Sequence, residues 1–169
     1  METFSTTQQP TPGNGLVTII RQTAPYYRLN LNPPLQALAI RTQLHMQYTV
    51  CNIYISPNEV IPPDSLTQLI NQLPHPFLLL GDFNGKHPIW GCNSSDWRGA
   101  IVEAAVNDTN SCILNMGTST HIHLQLGQQI DLSRCCAGVY LGGVGGHSWK
   151  CPLSHLSHGL AHCTYLLHS

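Results

Sequence analysis

The chain has 169 residues, seven Lys and Arg against eight Asp and Glu, a formal net charge of −1, and 42% hydrophobic residues. That length fits one domain, and the apolar content excludes a disordered chain. Only 9% of residues are charged, against about 25% in an average soluble domain, and without a basic excess the chain is no purely electrostatic nucleic-acid binder.

The first fifteen residues, METFSTTQQPTPGNG, are polar and Pro-bearing and lack the charged, apolar and small-residue regions of a secretion signal. They read as a tail, residues 1–14, ahead of a domain spanning 15–169. Leu16–Ile20, Leu35–Thr42 and Tyr48–Ile55 are β-branched or alternating runs parted by Pro- and Asn-containing turns, which predicts a small antiparallel meander. In the last of these, Val50, Asn52 and Tyr54 share one face, and Tyr54 stands near the strand's end at the rim of the sheet. SPNEVIPPDS then breaks the pattern. Asp64 or Ser65 is a plausible N-cap for a helix over Leu66–Leu73, where Leu66, Leu69, Ile70 and Leu73 have helical spacing.

Phe77–Leu80 is a continuous apolar run, the pattern of a strand buried between layers, and it stops at Gly81-Asp82-Phe83-Asn84. A loop rich in Gly, His, Pro and Trp follows, then a helix near Arg98–Asn107, a short strand near Cys112–Asn115, and a polar stretch ending at Gln129–Ser133. This order of elements suggests a layered α/β or α+β sandwich. From Cys135 the pattern decays into Gly-rich and His/Cys-rich sequence. No apolar run approaches the roughly 18 residues of a membrane helix, so an intracellular protein without a membrane partner is expected. The seven cysteines are an odd set without framework spacing and read as reduced thiols. His155, His158, His162, Cys163 and Cys151 are metal-competent side chains, but their spacing is not that of a zinc finger.

FLLLGDFN is the feature with most chemical content. A buried strand that ends in Asp82 and Asn84 delivers a carboxylate and an amide to the carboxyl edge of a sheet, where open α/β sheets hold ligands. In extended geometry the two point the same way while Phe83 returns to the core, and Gly81 lets the backbone pass closely. An Asp that accepts a proton from water, beside an Asn that holds a phosphoryl oxygen, suits phosphodiester hydrolysis. The alternative is that the pair forms an Asx turn after the strand.

GDFNGKHPIWG, with YTVCNIYISPN before it and RG and LNMGTSTHIHLQLGQQIDLS after it, resembles the endonuclease domain of jockey-like non-LTR retrotransposons, within the endonuclease/exonuclease/phosphatase superfamily. The resemblance runs from about Gly15 to Ser133. It implies a four-layer α/β sandwich, and Mg²⁺-dependent nicking of DNA by a domain carried beside a reverse transcriptase, in the nucleus where active. It implies that Asp82 positions or deprotonates the attacking water, that Asn84 contacts the scissile phosphate, and that Tyr54 lies beside that phosphate. Asp131 matches the aspartate that orients a catalytic histidine, and Thr118–Thr120 the threonine segment before it. Arg98-Gly99 and Asn115 match recurrent positions and are assigned to helix start and packing. His87 and Trp90 are placed for DNA contact or for loop packing.

Two family features have no counterpart. The family opens with strands bearing an Asn and the Glu that is its principal Mg²⁺ ligand, so the fold is expected to lack its first strands and the metal ligands are unknown. The family closes with Ser-Asp-His. Leu160-Ala161-His162 falls there, keeping His162 as a catalytic candidate with Ala161 in the place of Asp. The expected function is a DNA endonuclease domain impaired by these losses, or else an inactive remnant serving as a binding module.

Overall fold

The fold was obtained as a computed structural model, which describes residues 4–11, 14–21, 23–32, 34–43, 46–114, 141–143 and 164–168. In chain order its elements are β1 (Phe4–Thr11), β2 (Asn14–Arg21), β3 (Tyr26–Arg28), β4 (Gln36–Gln43), β5 (Gln47–Tyr54), α1 (Ser65–Ile70), β6 (Phe77–Asp82), a 3-10 turn (Pro88–Trp90), α2 (Trp97–Asp108), β7 (Cys112–Ile113), β8 (Leu141–Gly143) and β9 (Thr164–His168).

The alternating runs β4 and β5 form an antiparallel pair, and the apolar run β6 lies parallel to β5 on its other side. Parallel neighbours need a crossover, and α1 supplies it. The mixed sheet has the order β3-β4-β5-β6-β8-β7, while β1, β2 and β9 make a separate antiparallel sheet. On one face of the mixed sheet Ala37, Ala39, Cys51, Ile53 and Leu79 pack with Leu66, Leu69 and Ile70 of α1 and Ile101, Val102 and Ala105 of α2. On the other face Leu38, Ile40, Val50 and Tyr54 pack with Leu16 and Ile20 of β2. The described residues thus supply three of the four layers expected of an α/β sandwich: helices, mixed sheet, second sheet.

Three expectations are altered. The predicted meander breaks after its first strand, because Leu16–Ile20 belongs to β2, which pairs with β1 and packs face-on against β4. Period-2 alternation identifies a half-buried strand but says nothing about its neighbour in the sheet. The segment expected as a tail contains β1. Its polar, Pro10-bearing sequence is that of an edge strand, the place where a strand tolerates proline. Within the decayed C-terminal sequence, β8 pairs with β6 and β7, and β9 with β2.

Candidate nuclease site

The parallel register sets Tyr54 opposite Asp82, the last residues of β5 and β6, so both strands end at one edge of the sheet. The pairing continues one step further, where Ile55 N–H donates to the Asp82 carbonyl at 2.9 Å. Such close approach requires Gly81. A Cβ there would lie 1.8 Å from the Ile53 carbonyl oxygen, and φ is +146°, a conformation that L side chains rarely adopt.

Beyond Asp82 the chain leaves the extended conformation that would have aimed Asp82 and Asn84 alike. Asn84 has φ +47°, in the left-handed region that Asn tolerates. Its backbone N–H donates to Asp82 Oδ1 at 3.0 Å, closing an Asx turn, and its Nδ2 donates to the Ile55 carbonyl at 2.9 Å. The turn read from the sequence as the alternative is therefore formed, and it carries the Asn84 carboxamide back onto the end of β5. Phe83 returns to the core as expected, with no exposed surface. Tyr54 is 5% exposed and lies with Leu38, Ile40 and Val50 in the layer between the sheets.

The loop after Asn84 is fastened to the start of α2. Asp96 is the N-cap, its Oδ1 accepting from Gly99 N–H at 2.8 Å, and Asp96 N–H donates to the Lys86 carbonyl at 3.0 Å. Gly99 is required because a Cβ would meet the Lys86 carbonyl oxygen at 1.8 Å. Of the two aromatic loop residues considered for DNA contact, Trp90 is 1% exposed and donates its indole N–H to the Gly85 carbonyl at 3.2 Å, which makes it a core residue. His87 caps the 3-10 turn, its Nδ1 accepting from Ile89 N–H at 3.3 Å while Nε2 lies 3.3 Å from Glu103 Oε2. The exposed aromatic of this region is Trp97, at 49%.

One residue assigned from sequence to helix start and packing does more. Arg98 is 6% exposed, and its guanidinium donates through Nη1 to the Asn84 carbonyl at 3.3 Å and through Nη2 to the carbonyls of Glu59, at 2.7 Å, and Pro57. The available signal was an Arg in a helix's first turn, where the dipole disfavours a cation.

The carboxylates nearest the strand ends are Asp82 and Glu59, and each accepts a backbone N–H, from Asn84 and from Ser56 at 3.3 Å. Among the described residues no three His, Cys, Asp or Glu side chains gather to hold a metal ion; a Mg²⁺ ion, which takes one or two carboxylates and keeps several waters, would find Asp82 and Glu59 as carboxylate donors beside the strand ends. Asp131 and His162, with Asn115 and Thr118–Thr120, lie outside the described residues. Cys51 is a buried free thiol. No helix among the described residues is long and apolar enough to cross a membrane.

The sequence and the fold of the chain have counterparts among known proteins. Residues 48–134 match the family described as endonuclease-reverse transcriptase. Among solved structures, the endonuclease domain of TRAS1, a telomere-specific non-LTR retrotransposon, is similar in fold, with a TM-score of 0.65 at 15% identity, over 84% of this chain and 67% of that one. No curated protein matches the chain.

Proposed function

The chain belongs to the endonuclease-reverse transcriptase family, and from that membership we propose that it is a retroelement-derived DNA endonuclease domain hydrolysing phosphodiester bonds, once linked to a reverse transcriptase and acting in the nucleus. One observation carries this reading: residues 28 positions apart in sequence, Tyr54 and Asp82, are register partners at one sheet edge, with Asn84 tied to the residue after Tyr54. In this role Asp82 accepts a hydrogen bond from the attacking water, and the second carboxylate oxygen is sterically distinct from the one that holds the turn. Asn84, whose carboxamide is held at the end of β5 by the Ile55 carbonyl, donates to a phosphoryl oxygen. Tyr54 stands beside the phosphate, and Asp131 orients the imidazole that His162 or another histidine provides.

Mg²⁺ is the ion proposed for this chemistry, supplying charge neutralisation at the phosphoryl group, with its ligands unassigned. The rate is proposed to be low, because Ala161 stands where the family has an aspartate and single catalytic groups are worth on the order of 10⁴ in rate. Supercoiled plasmid incubated with the protein should yield open circles with Mg²⁺ and none with EDTA, and Asp82→Ala should slow nicking by at least ~100-fold. Absence of nicking by folded protein at high concentration, or an unchanged rate in Asp82→Ala, would overturn the assignment.

A second reading, a non-catalytic DNA-binding or interaction module, is favoured by the hydrogen bonds that Asp82 and Asn84 spend on the backbone of their own turn and of β5. It expects retention of DNA in gel shifts without any cleaved product.

A further inference from the structure

Arg98 sits where an isolated helix would not put it. The N-terminal turn of α2 presents uncompensated N–H groups and a positive dipole end, which repel a cation. Burial raises the cost, because a buried charge normally has a carboxylate partner, and among the described residues none pairs with Arg98. Its Nε, moreover, is buried with no hydrogen-bond partner among them. The compensation comes from three carbonyl dipoles, of Asn84 on one loop and Pro57 and Glu59 on the other, and from the ring of Trp97, 4.9 Å from the guanidinium carbon.

Those acceptors are not scattered. Asn84 Nδ2 holds the Ile55 carbonyl, the chain runs two residues to Pro57, Pro57 is held by Arg98, and Arg98 returns to the Asn84 carbonyl. The circuit closes through both ends of one residue, Asn84, with its carboxamide on one side and its carbonyl on the other. Fixing the carbonyl at a left-handed φ fixes the direction from which the carboxamide leaves the backbone. A planar fork with five N–H donors can span the two loops at once, which a Lys ammonium on its flexible stem cannot do in the same geometry.

The geometry points to Arg98 as a positioning residue of the nuclease site, acting through Asn84 by locking the loop after β6 to the loop after β5. This assignment rests on the nuclease reading for its effect on rate and on the hydrogen-bond circuit alone for its effect on Asn84. Arg98→Lys and Arg98→Ala should lower kcat for plasmid nicking by about 10- to 100-fold, as a small misplacement of a positioned group does, with KM for the plasmid changed less than threefold. Rates are compared well below each variant's Tm. Ethylguanidinium at tens of millimolar should restore part of the rate of Arg98→Ala, and ethylammonium should not.

The second measurement does not depend on cleavage. In ¹⁵N-labelled protein, the side-chain amide signals of Asn84, assigned by their loss in Asn84→Asp, should move or broaden in Arg98→Lys while those of Asn71, the C-cap of α1, stay in place. Unmoved Asn84 signals in a folded Arg98→Lys, or a lowered Tm with an unaltered kcat, would overturn the positioning role. If the unsubstituted protein does not nick DNA, the nuclease reading falls and the Asn84 signals alone decide whether Arg98 positions that residue.

Discussion

Cys51 lies in the middle of β5 with no exposed surface, and burial pushes its thiol from 9.0 up to about 12. The charged thiolate is what burial penalises, so the folded protein keeps the proton while the unfolded chain loses it near 9. Stability is therefore fully present below pH 9 and falls as pH rises from there towards about 12, by up to about 1.4 kcal/mol per pH unit. Denaturant melts at pH 8, 9.5 and 10.5 should show a steeper decline in the native protein than in Cys51→Ala, and equal slopes would refute the assignment. The same burial makes Cys51 inert towards iodoacetamide at pH 8. Peptide mapping after brief labelling of the folded and the urea-unfolded protein checks this. Burial of this kind was legible in the sequence, since Cys51 alternates with Thr49 and Ile53 on a β-branched strand. The role of Arg98 was not, because its partners are backbone carbonyls 14 to 41 residues away and carbonyls have no residue identity to read.

At the scale of elements, α2 is the piece that seats the GDFN loop. Replacing Gly by Ala inside a helix ordinarily stabilises by about 0.5–1 kcal/mol. At Gly99 the sign should reverse, because the new Cβ would overlap the Lys86 carbonyl oxygen and force α2 away from the loop. Gly99→Ala should cost more than ~1 kcal/mol in a denaturant melt, comparable to loss of the cap in Asp96→Ala, for which about 1 kcal/mol is typical. A Gly99→Ala variant as stable as the parent would show that the helix start is free to shift. The helix itself was readable: the pattern over Arg98–Asn107 became Trp97–Asp108, and the FLLL run became β6. Helix α1 runs from Ser65 only to Ile70 before tight turns carry the chain to Leu73, and its Asp64 cap accepts no helix backbone N–H but takes the Gln68 side-chain amide instead. What local pattern could not reveal was partnership. Leu16 and Ile20 announce a strand, but whether they extend the sheet of β4 or lie across its face depends on contacts far along the chain, with β9 near residue 168 among them.

For the whole molecule, the scarcity of charge has a consequence for any DNA it meets. Of seven Lys and Arg in the chain, at least two among the described residues are committed inside the fold. Arg41 donates to Thr49 Oγ1 at 2.7 Å and to the carbonyls of Pro74 and His75 at 2.9 and 3.0 Å, and Arg98 holds its three carbonyls. Both cations brace loops at opposite ends of the β5–β6 pair, and each spends guanidinium donors on those acceptors that a phosphate would otherwise take. That leaves at most five to neutralise phosphates at a pH where His is neutral. Each neutralised phosphate contributes about −0.9 to the slope of log K against log salt, so the slope for duplex DNA at pH 8 should be no steeper than about −4.5. Between 50 and 200 mM NaCl that bounds the loss of affinity at about 500-fold, where a protein making 6–10 phosphate contacts loses roughly 10³–10⁵. Fluorescence anisotropy with a labelled duplex across that salt range measures it. A steeper slope would require Arg41 or Arg98 to engage the DNA, and in the case of Arg98 the loop that carries Asn84 would then have to rearrange on binding.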